Sequence, residues 1–440
     1  MKLFIVCKHP ESNQSVYDLI DFLRSSPGAD ITVYGVQNVT QNKSRVFEHG
    51  DRGHHGSNIR FIDADDNGSK LDIDVMHREL TTAAYDVVIV IHTVNIVATI
   101  AKSIEATLET VTTKALFYCE IPREFPHRRY FDSLKSVVNN PKLAGRVRFA
   151  TSSHQGLQIL ERLVTNRYAG ALPYGITPGA FYSIPHDVAR SAIELREDGT
   201  FVVFAVGRMD TSIMLFADFV THHPTAKAKL LLPVDENLSD MVKEFYLNEM
   251  GDAVTHDAAL GMLVLMKDIA FMNNDELNVI ACSANAIVHA NAITDFNIHV
   301  PQFALTNVPQ IVPGIAFNTE YIDKRYVAKV NPVFDFYSFD DYGGRLSLCG
   351  HRDFSNALGA IYANQGVAEQ NARALSAAMG PIVTQQLAWK NWRTVIDELH
   401  RGVSPALHHH TPSPPPAMSD FSDEIDSLKK KLQNIMLKIK

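Results

Sequence analysis

Apolar residues in this chain fall into short runs, separated by stretches with one apolar face. Residues 2–7, 31–35, 86–92 (DVVIVIH), 115–119 and 147–151 have the length and apolarity of strands buried on both faces. Between them, 15–24, 97–110 and 156–165 repeat apolar positions at helical spacing. Residues 37–57 lack periodicity and read as a long loop, functional or merely solvated. Strands alternating with helices predict βαβ units, right-handed crossovers and a parallel sheet.

The pattern then repeats. After a Pro-bearing connection at 172–185, strands are predicted at 201–206, 229–233 and 261–266, with helices at 213–222 and 239–250. Residues 273–314 read as helix, strand, loop, helix, strand. Asn273 and Glu276 have capping-box spacing, and 286–290 is a buried strand. The loop 291–297 leaves that strand's C-terminal end, where open α/β sheets bind ligands. A helix opening at 302–305 and ending at Asn307-Val308-Pro309 follows, then a strand from Gln310. Helices at 367–378 and 383–401 carry Gly380-Pro381 between them, which predicts a break or kink. Trp389 and Trp392 lie in the second of these. The expected fold is α/β: two tandem Rossmann-like doubly wound domains, 1–185 and 186–401, facing across a cleft.

The end of the chain differs. Residues 402–418 (GVSPALHHHTPSPPPAM) form a Pro-rich linker, in which His408, His409 and His410 read as linker rather than metal site. In 419–440, Phe421, Ile425, Leu428, Leu432, Ile435 and Ile439 follow 4-3-4-3-4 spacing, an amphipathic heptad helix. So short a helix is marginal alone. Its stripe is expected to self-associate or dock on a protein partner.

Composition adds limits. The 440 residues are 46% hydrophobic and 20% charged, with a net charge of −8, which gives no reason to expect nucleic acid as partner. No apolar run approaches the ~20 residues of a membrane span, and 3–7 is too short for a signal-peptide core. Cys7, Cys119, Cys282 and Cys349 are widely spaced, the pattern of reduced thiols in a cytosolic compartment.

Several phrases, in order, carry a resemblance. They are Tyr34-Gly35-Val36-Gln37, Asp275-Glu276-Leu277-Asn278, Phe296 to Ile298 with Gln302, Val308-Pro309-Gln310-Ile311-Val312-Pro313, Gly343-Gly344 with Asp353-Phe354 and Ala357, and Trp389. Over roughly the first nine-tenths of its length the chain resembles the GT-B glycosyltransferases that retain anomeric configuration, closest to versions carried by large DNA viruses. The resemblance implies a nucleotide-sugar donor on the C-terminal domain, an acceptor on the N-terminal domain and no metal or other cofactor. It implies an Arg and a Lys on the diphosphate, a Glu on the ribose and a second Glu facing the sugar.

The chain departs from that pattern at most of these positions. Gly207-Arg208 keeps the Gly-Arg, but 210–213 (DTSI) has no basic residue. Gln302 stands at the ribose Glu and Thr294 at the sugar-facing Glu, with Asp295 the nearest carboxylate. Asp295 and Asn297 replace paired glycines, and His299 takes a place usually small or apolar. The donor-binding candidates are therefore Gly207, Arg208, Thr294, Asn297 and Gln302. Arg208 reads equally as an ion-pair partner of Asp210.

On the N-terminal side His127, in CEIPREFPHRR with Arg123, Arg128 and Arg129, is either an acceptor or phosphate cluster or a solvated basic loop. His127 and Asp295 are the catalytic candidates. His92 ends a buried strand, where a satisfied core histidine is the commoner role. His154 opens a helix where an anion can meet free N–H groups, or where Ser152 or Ser153 caps. Two functions follow: an active glycosyltransferase, or a descendant that binds or builds without catalysis, in a virion or capsid if viral. The lost charges favour the second. A charged hydrogen bond contributes about 1.5–3 kcal/mol, so two losses weaken donor binding by ~3–6 kcal/mol.

Overall fold

Alternation of side chains between two cores fixes the strands. In β1 (Lys2–Cys7), Leu3, Ile5 and Cys7 enter one cluster, while Phe4 and Val6 enter another. In β8 (Phe201–Gly207), Val202, Phe204 and Val206 face that first cluster and Phe201, Val203 and Ala205 face a third. A strand buried on both faces needs helices on both sides, and these β-branched and aromatic runs supply no polar face to expose.

The computed structural model describes residues 1–7, 14–36, 58–63, 71–121, 127–164, 168–195, 199–251, 254–269, 272–291, 297–315, 319–338 and 345–403. The loop 37–57, Gly343-Gly344, the linker 404–418 and the heptad helix 419–440 lie outside these residues.

The N-terminal half runs β1, α1 (Gln14–Arg24), β2 (Asp30–Val36), β3 (Asn58–Asp63), α2 (Ile73–Thr82), β4 (Val87–Thr93), α3 (Val94–Thr110), β5 (Lys114–Glu120), α4 (Arg128–Asn139), β6 (Val147–Thr151), α5 (His154–Val164) and β7 (Tyr168–Ala171). Its strands form one parallel sheet in the order β3-β2-β1-β4-β5-β6-β7. The C-terminal half adds α6 (His186–Ala192), β8, α7 (Met209–His222), β9 (Ala228–Val234), α8 (Ser239–Met250), α9 (His256–Met262), β10 (Leu263–Lys267), α10 (Asn274–Ser283), β11 (Ala286–Ala290), α11 (His299–Phe303), β12 (Gln310–Pro313) and β13 (Ala328–Val330). These strands form a second parallel sheet, β10-β9-β8-β11-β12-β13. An antiparallel pair, β14 (Pro332–Tyr337) and β15 (Arg345–Cys349), precedes α12 (His351–Ala363), α13 (Gln365–Gln385) and α14 (Lys390–Arg401).

The architecture is thus two Rossmann-like parallel-sheet domains. The first cluster runs through both, collecting Leu3, Tyr118, Phe204, Phe303 and Trp392 into one core. The chain crosses twice between the domains, and the crossings clasp each other. Ile176 N–H donates to Leu387 O at 2.9 Å. Trp392 Nε1 donates to Pro173 O at 2.9 Å and its ring packs against Tyr118 and Tyr174. Gly175 leaves room for Trp389, since a Cβ there would lie 2.3 Å from the indole.

Three expectations need correction. β3 and α2 went unpredicted. Of the break or kink expected at Gly380-Pro381, the break is absent: the helix runs through, because both residues sit on the exposed face where water can take the freed carbonyl. The break comes instead after Gln385, where Leu387 and Trp389 turn inward. Finally, α11 starts at His299, so Gln302 lies within the helix rather than opening it; a 3-10 turn and the left-handed Asn307 (φ 61°) end it.

Candidate functional site

In open α/β sheets the ligand crevice lies beyond the strand C-termini where strand order reverses. That point falls between β1 and β4 in the first sheet and between β8 and β11 in the second. The second holds most of the donor-binding candidates.

At the end of β8, Gly207 has φ +116° and lies against β11's exit. A Cβ there would meet Asn291 Oδ1 at 2.1 Å and the carbonyl carbon of Ala290 at 2.9 Å. Only glycine fits. Arg208 N–H donates to Ala290 O at 2.9 Å, which fixes the start of α7 beside loop 291–297. The Arg208 guanidinium then turns back onto Asp210: Nε donates to Oδ1 at 3.1 Å and a second nitrogen donates to Oδ2. Asp210 Oδ1 also accepts from Thr211 N–H at 2.7 Å. Arg208 holds Asp210 below the usual carboxylate range, and Asp210 raises Arg208 in return. The one cation kept at this position, together with the N-terminus of α7, therefore already faces an anion from the chain itself.

At the start of α11, Asn297 Oδ1 accepts from His299 N–H at 3.1 Å, while its buried Nδ2 has no hydrogen-bond partner among the described residues. Gln302 is 4% exposed, and its Oε1 lies 3.0 Å from His299 Nδ1. The His299 ring stacks on Phe303 at 5.6 Å. Thr294 and Asp295 lie outside the described residues.

Beneath this turn is a polar link with no local signature along the chain. His289, fully buried on β11, has Nε2 at 2.7 Å from Gln310 Oε1, and Gln310 Nε2 donates to Val300 O at 3.3 Å. Burial pushes His289 down to about 3, and the nearby His299 acts in the same direction. A neutral His289 thus ties α11 to β11 and β12. An isolated His in an apolar strand carries no pairing signal.

On the N-terminal side the candidates separate. His127 is exposed, precedes α4 without capping it, and lies 6.3 Å ring to ring from Tyr130. Arg128 lies 3.8 Å from Asp132 and Arg129 covers the Tyr130 ring, so each of these basic residues also has a neighbour on α4. Arg123 lies outside the described residues. His92 is 7% exposed and its Nδ1 accepts from Thr93 N–H at 2.8 Å. His154 does meet an anion at its helix start, and that anion is Glu320 from the other domain. Glu320 Oε1 accepts from His154 N–H at 2.7 Å, while Ser153 Oγ caps Gly156 N–H at 3.0 Å.

A carboxylate not singled out from sequence, Glu120, stands at the C-terminal end of β5. Its Oε1 accepts from Tyr174 O–H at 2.8 Å. Burial, and then the Glu120 charge, push the Cys7 thiol up to about 12. A strand-ending Glu was the available signal.

Several of the phrases that carried the resemblance hold the fold where they are described. Asn273 and Glu276 complete the capping box, and Asn278 Oδ1 accepts from Tyr182 N–H at 3.2 Å, fastening the inter-domain connection. Gly35 (φ +114°) passes so close to β1 that a Cβ would strike Cys7 O. Gln310 holds His289, and Trp389 rests on Gly175. Among the described residues no group of His, Cys, Asp and Glu could hold a metal ion, and no helix is long and apolar enough to cross a membrane.

No protein-family model and no curated protein matches the sequence. Solved structures do match in fold. A sucrose-phosphate synthase from Thermosynechococcus elongatus superposes with a TM-score of 0.59 at 14% identity, over 90% of this chain and 99% of that one. Anabaena HepE, in complex with UDP and glucose, gives 0.61 at 12% identity, over 92% and 99%. A UDP-forming trehalose-phosphate synthase from Burkholderia vietnamiensis gives 0.57 at 11% identity, over 92% and 100%. The shared arrangement is the GT-B fold of glycosyltransferases.

Proposed function

We propose that this chain is a glycosyltransferase-like protein that has lost most catalytic power and now serves as a binding or structural component. One observation carries this reading: the Arg208 guanidinium, the cation at the donor side of the crevice, is closed onto Asp210. A diphosphate arriving there displaces a carboxylate before it gains a cation. Gln302 is neutral and buried, and the one amide oxygen it could turn to a ribose already lies 3.0 Å from His299 Nδ1, where a carboxylate would have a second oxygen to spare. The matching phrases support the same reading, because each of those described holds the fold. In this account the protein acts through partners bound by the 419–440 helix, in host cytoplasm or in a virus particle if the gene is viral.

The second reading is an active retaining glycosyltransferase moving a sugar from a nucleotide-sugar to a glycan or protein, with His127 and Asp295 as its catalytic groups. The Gly207-Arg208 turn favours it, since it still sits at the strand-order reversal, where open α/β sheets bind ligands. An assay of UDP and GDP release from UDP- and GDP-sugars, with and without glycan acceptors, separates the two. No release above the uncatalysed rate is expected, and turnover abolished by Arg208→Ala overturns the proposal. Gln302→Glu restores a carboxylate and should tighten UDP binding; an unchanged Kd means that this position no longer faces a ligand.

A further inference from the structure

The two chain crossings are joined by the Ile176–Leu387 hydrogen bond, so the domains can part only about this clasp. Any further contact between the domains sets how far they part. One such contact is built from segments far apart in sequence. We propose that Glu320 and His154 form a proton-dependent latch between the two domains, which governs how readily the cleft opens to a ligand.

The geometry is specific. Glu320 follows β12 in the C-terminal domain, and its Oε1 lies 2.7 Å from His154 N and 2.5 Å from His154 Nδ1. One oxygen therefore takes two donors, at the positive end of α5. The Glu320 side chain is 16% exposed and His154 55%, so the proton on the ring exchanges with solvent while the carboxylate is partly shielded. The next residue repeats the tie: Tyr321, 4% exposed, donates its hydroxyl to Ser152 O at 3.3 Å. Burial raises Tyr321, which keeps it a protonated donor.

The charge that acts on His154 is that of Glu320, which raises it, while burial opposes. Among the described residues, Tyr321 lies 6.2 Å away ring to ring, and Glu161 and Arg162 are the other charged groups of α5, two turns further along it. Asp323 and Arg325, beyond Tyr321, close on each other at 2.6 Å. The sign follows. With His154 raised above its ordinary value of about 6.5, the charge-assisted contact is fully present below that pH and is lost as pH rises through the raised value. The neutral ring can still donate one ordinary hydrogen bond, so the latch weakens rather than vanishes.

The link to ligand access rests on the cleft reading above; the latch itself does not. It is tested without ligand, on the full chain, by electron–electron distance measurement between spin labels at two exposed positions, Arg78→Cys on α2 and Glu244→Cys on α8. The expected result is a single short-distance population at pH 6 and an added longer one at pH 8.5. Glu320→Gln should show the longer population at both. His154→Gln, should the first variant fail to fold, should remove the pH dependence. Near-ultraviolet circular dichroism confirms the fold of each. A wild-type distribution identical at both pH values, or pH dependence retained in either variant, overturns the latch.

Discussion

Replacing Asp210 by Asn should turn a self-occupied anion site into an open one. The change removes the carboxylate that Arg208 grips through two nitrogens, yet an Asn Oδ1 can still accept from Thr211 N–H. Both partners are almost half exposed, at 45% and 46%, so solvent screens the pair and its loss should cost the fold under about 1 kcal/mol. The freed guanidinium can then meet a phosphate. A charged hydrogen bond of about 1.5–3 kcal/mol corresponds to a roughly ten- to hundredfold lower Kd. Calorimetric titration with UDP is the assay, at two salt concentrations. The gain should shrink as salt rises, because it is electrostatic and near solvent. The double variant Arg208→Ala, Asp210→Asn should show no gain. Equal affinity in wild type and Asp210→Asn, or a gain that survives loss of Arg208, refutes the idea that Asp210 blocks the site.

Three other outcomes are expected. Trp392→Ala should destabilise by about 3–5 kcal/mol in denaturant titration, since a fully buried indole that also serves Pro173 O is removed; a loss under about 1 kcal/mol means α14 is not anchored by it. Gly207→Ala should cost about 1–3 kcal/mol from backbone strain and the clash with Asn291. Gly145→Ala, at a milder positive φ (+74° against +116°) and in open space, should cost less in the same melts, and equal losses would leave both the close approach and the more extreme φ without consequence. Deleting 419–440 should lower the mass seen by light scattering or abolish partner capture; unchanged values of both remove the docking role of the heptad stripe.

Much of the fold was legible because central strands of a parallel sheet have no polar face. β4, with Val87 to Ile91 all buried, could be read from DVVIVIH alone. β3 could not: it is an edge strand, NIRFID, whose Arg60 reaches Glu79 and Tyr85 instead of a core. The run of α13 through Pro381 was illegible for another reason. A local breaker signal lost to packing further on, where Leu387 and Trp389 are claimed by the inter-domain connection.

The site divides the same way. The order of elements located the strand-order reversal at Gly207 and loop 291–297. The Arg208–Asp210 pair was readable because its members are two residues apart. His154 with Glu320 was not, 166 positions apart, nor was His289 with Gln310. Contacts of that kind depend on the tertiary fold, and no local spacing encodes them.

Under the proposed function the cleft no longer binds a nucleotide-sugar as a donor. The most direct test is calorimetric titration of the unmodified chain with UDP-glucose and with a GDP-sugar, carried to millimolar concentration. No saturable heat is expected below about 0.1 mM, because ~3–6 kcal/mol of charged contacts missing from a micromolar site moves its Kd to roughly 0.1 mM or weaker. A micromolar Kd for either donor, lost in Arg208→Ala, would contradict it.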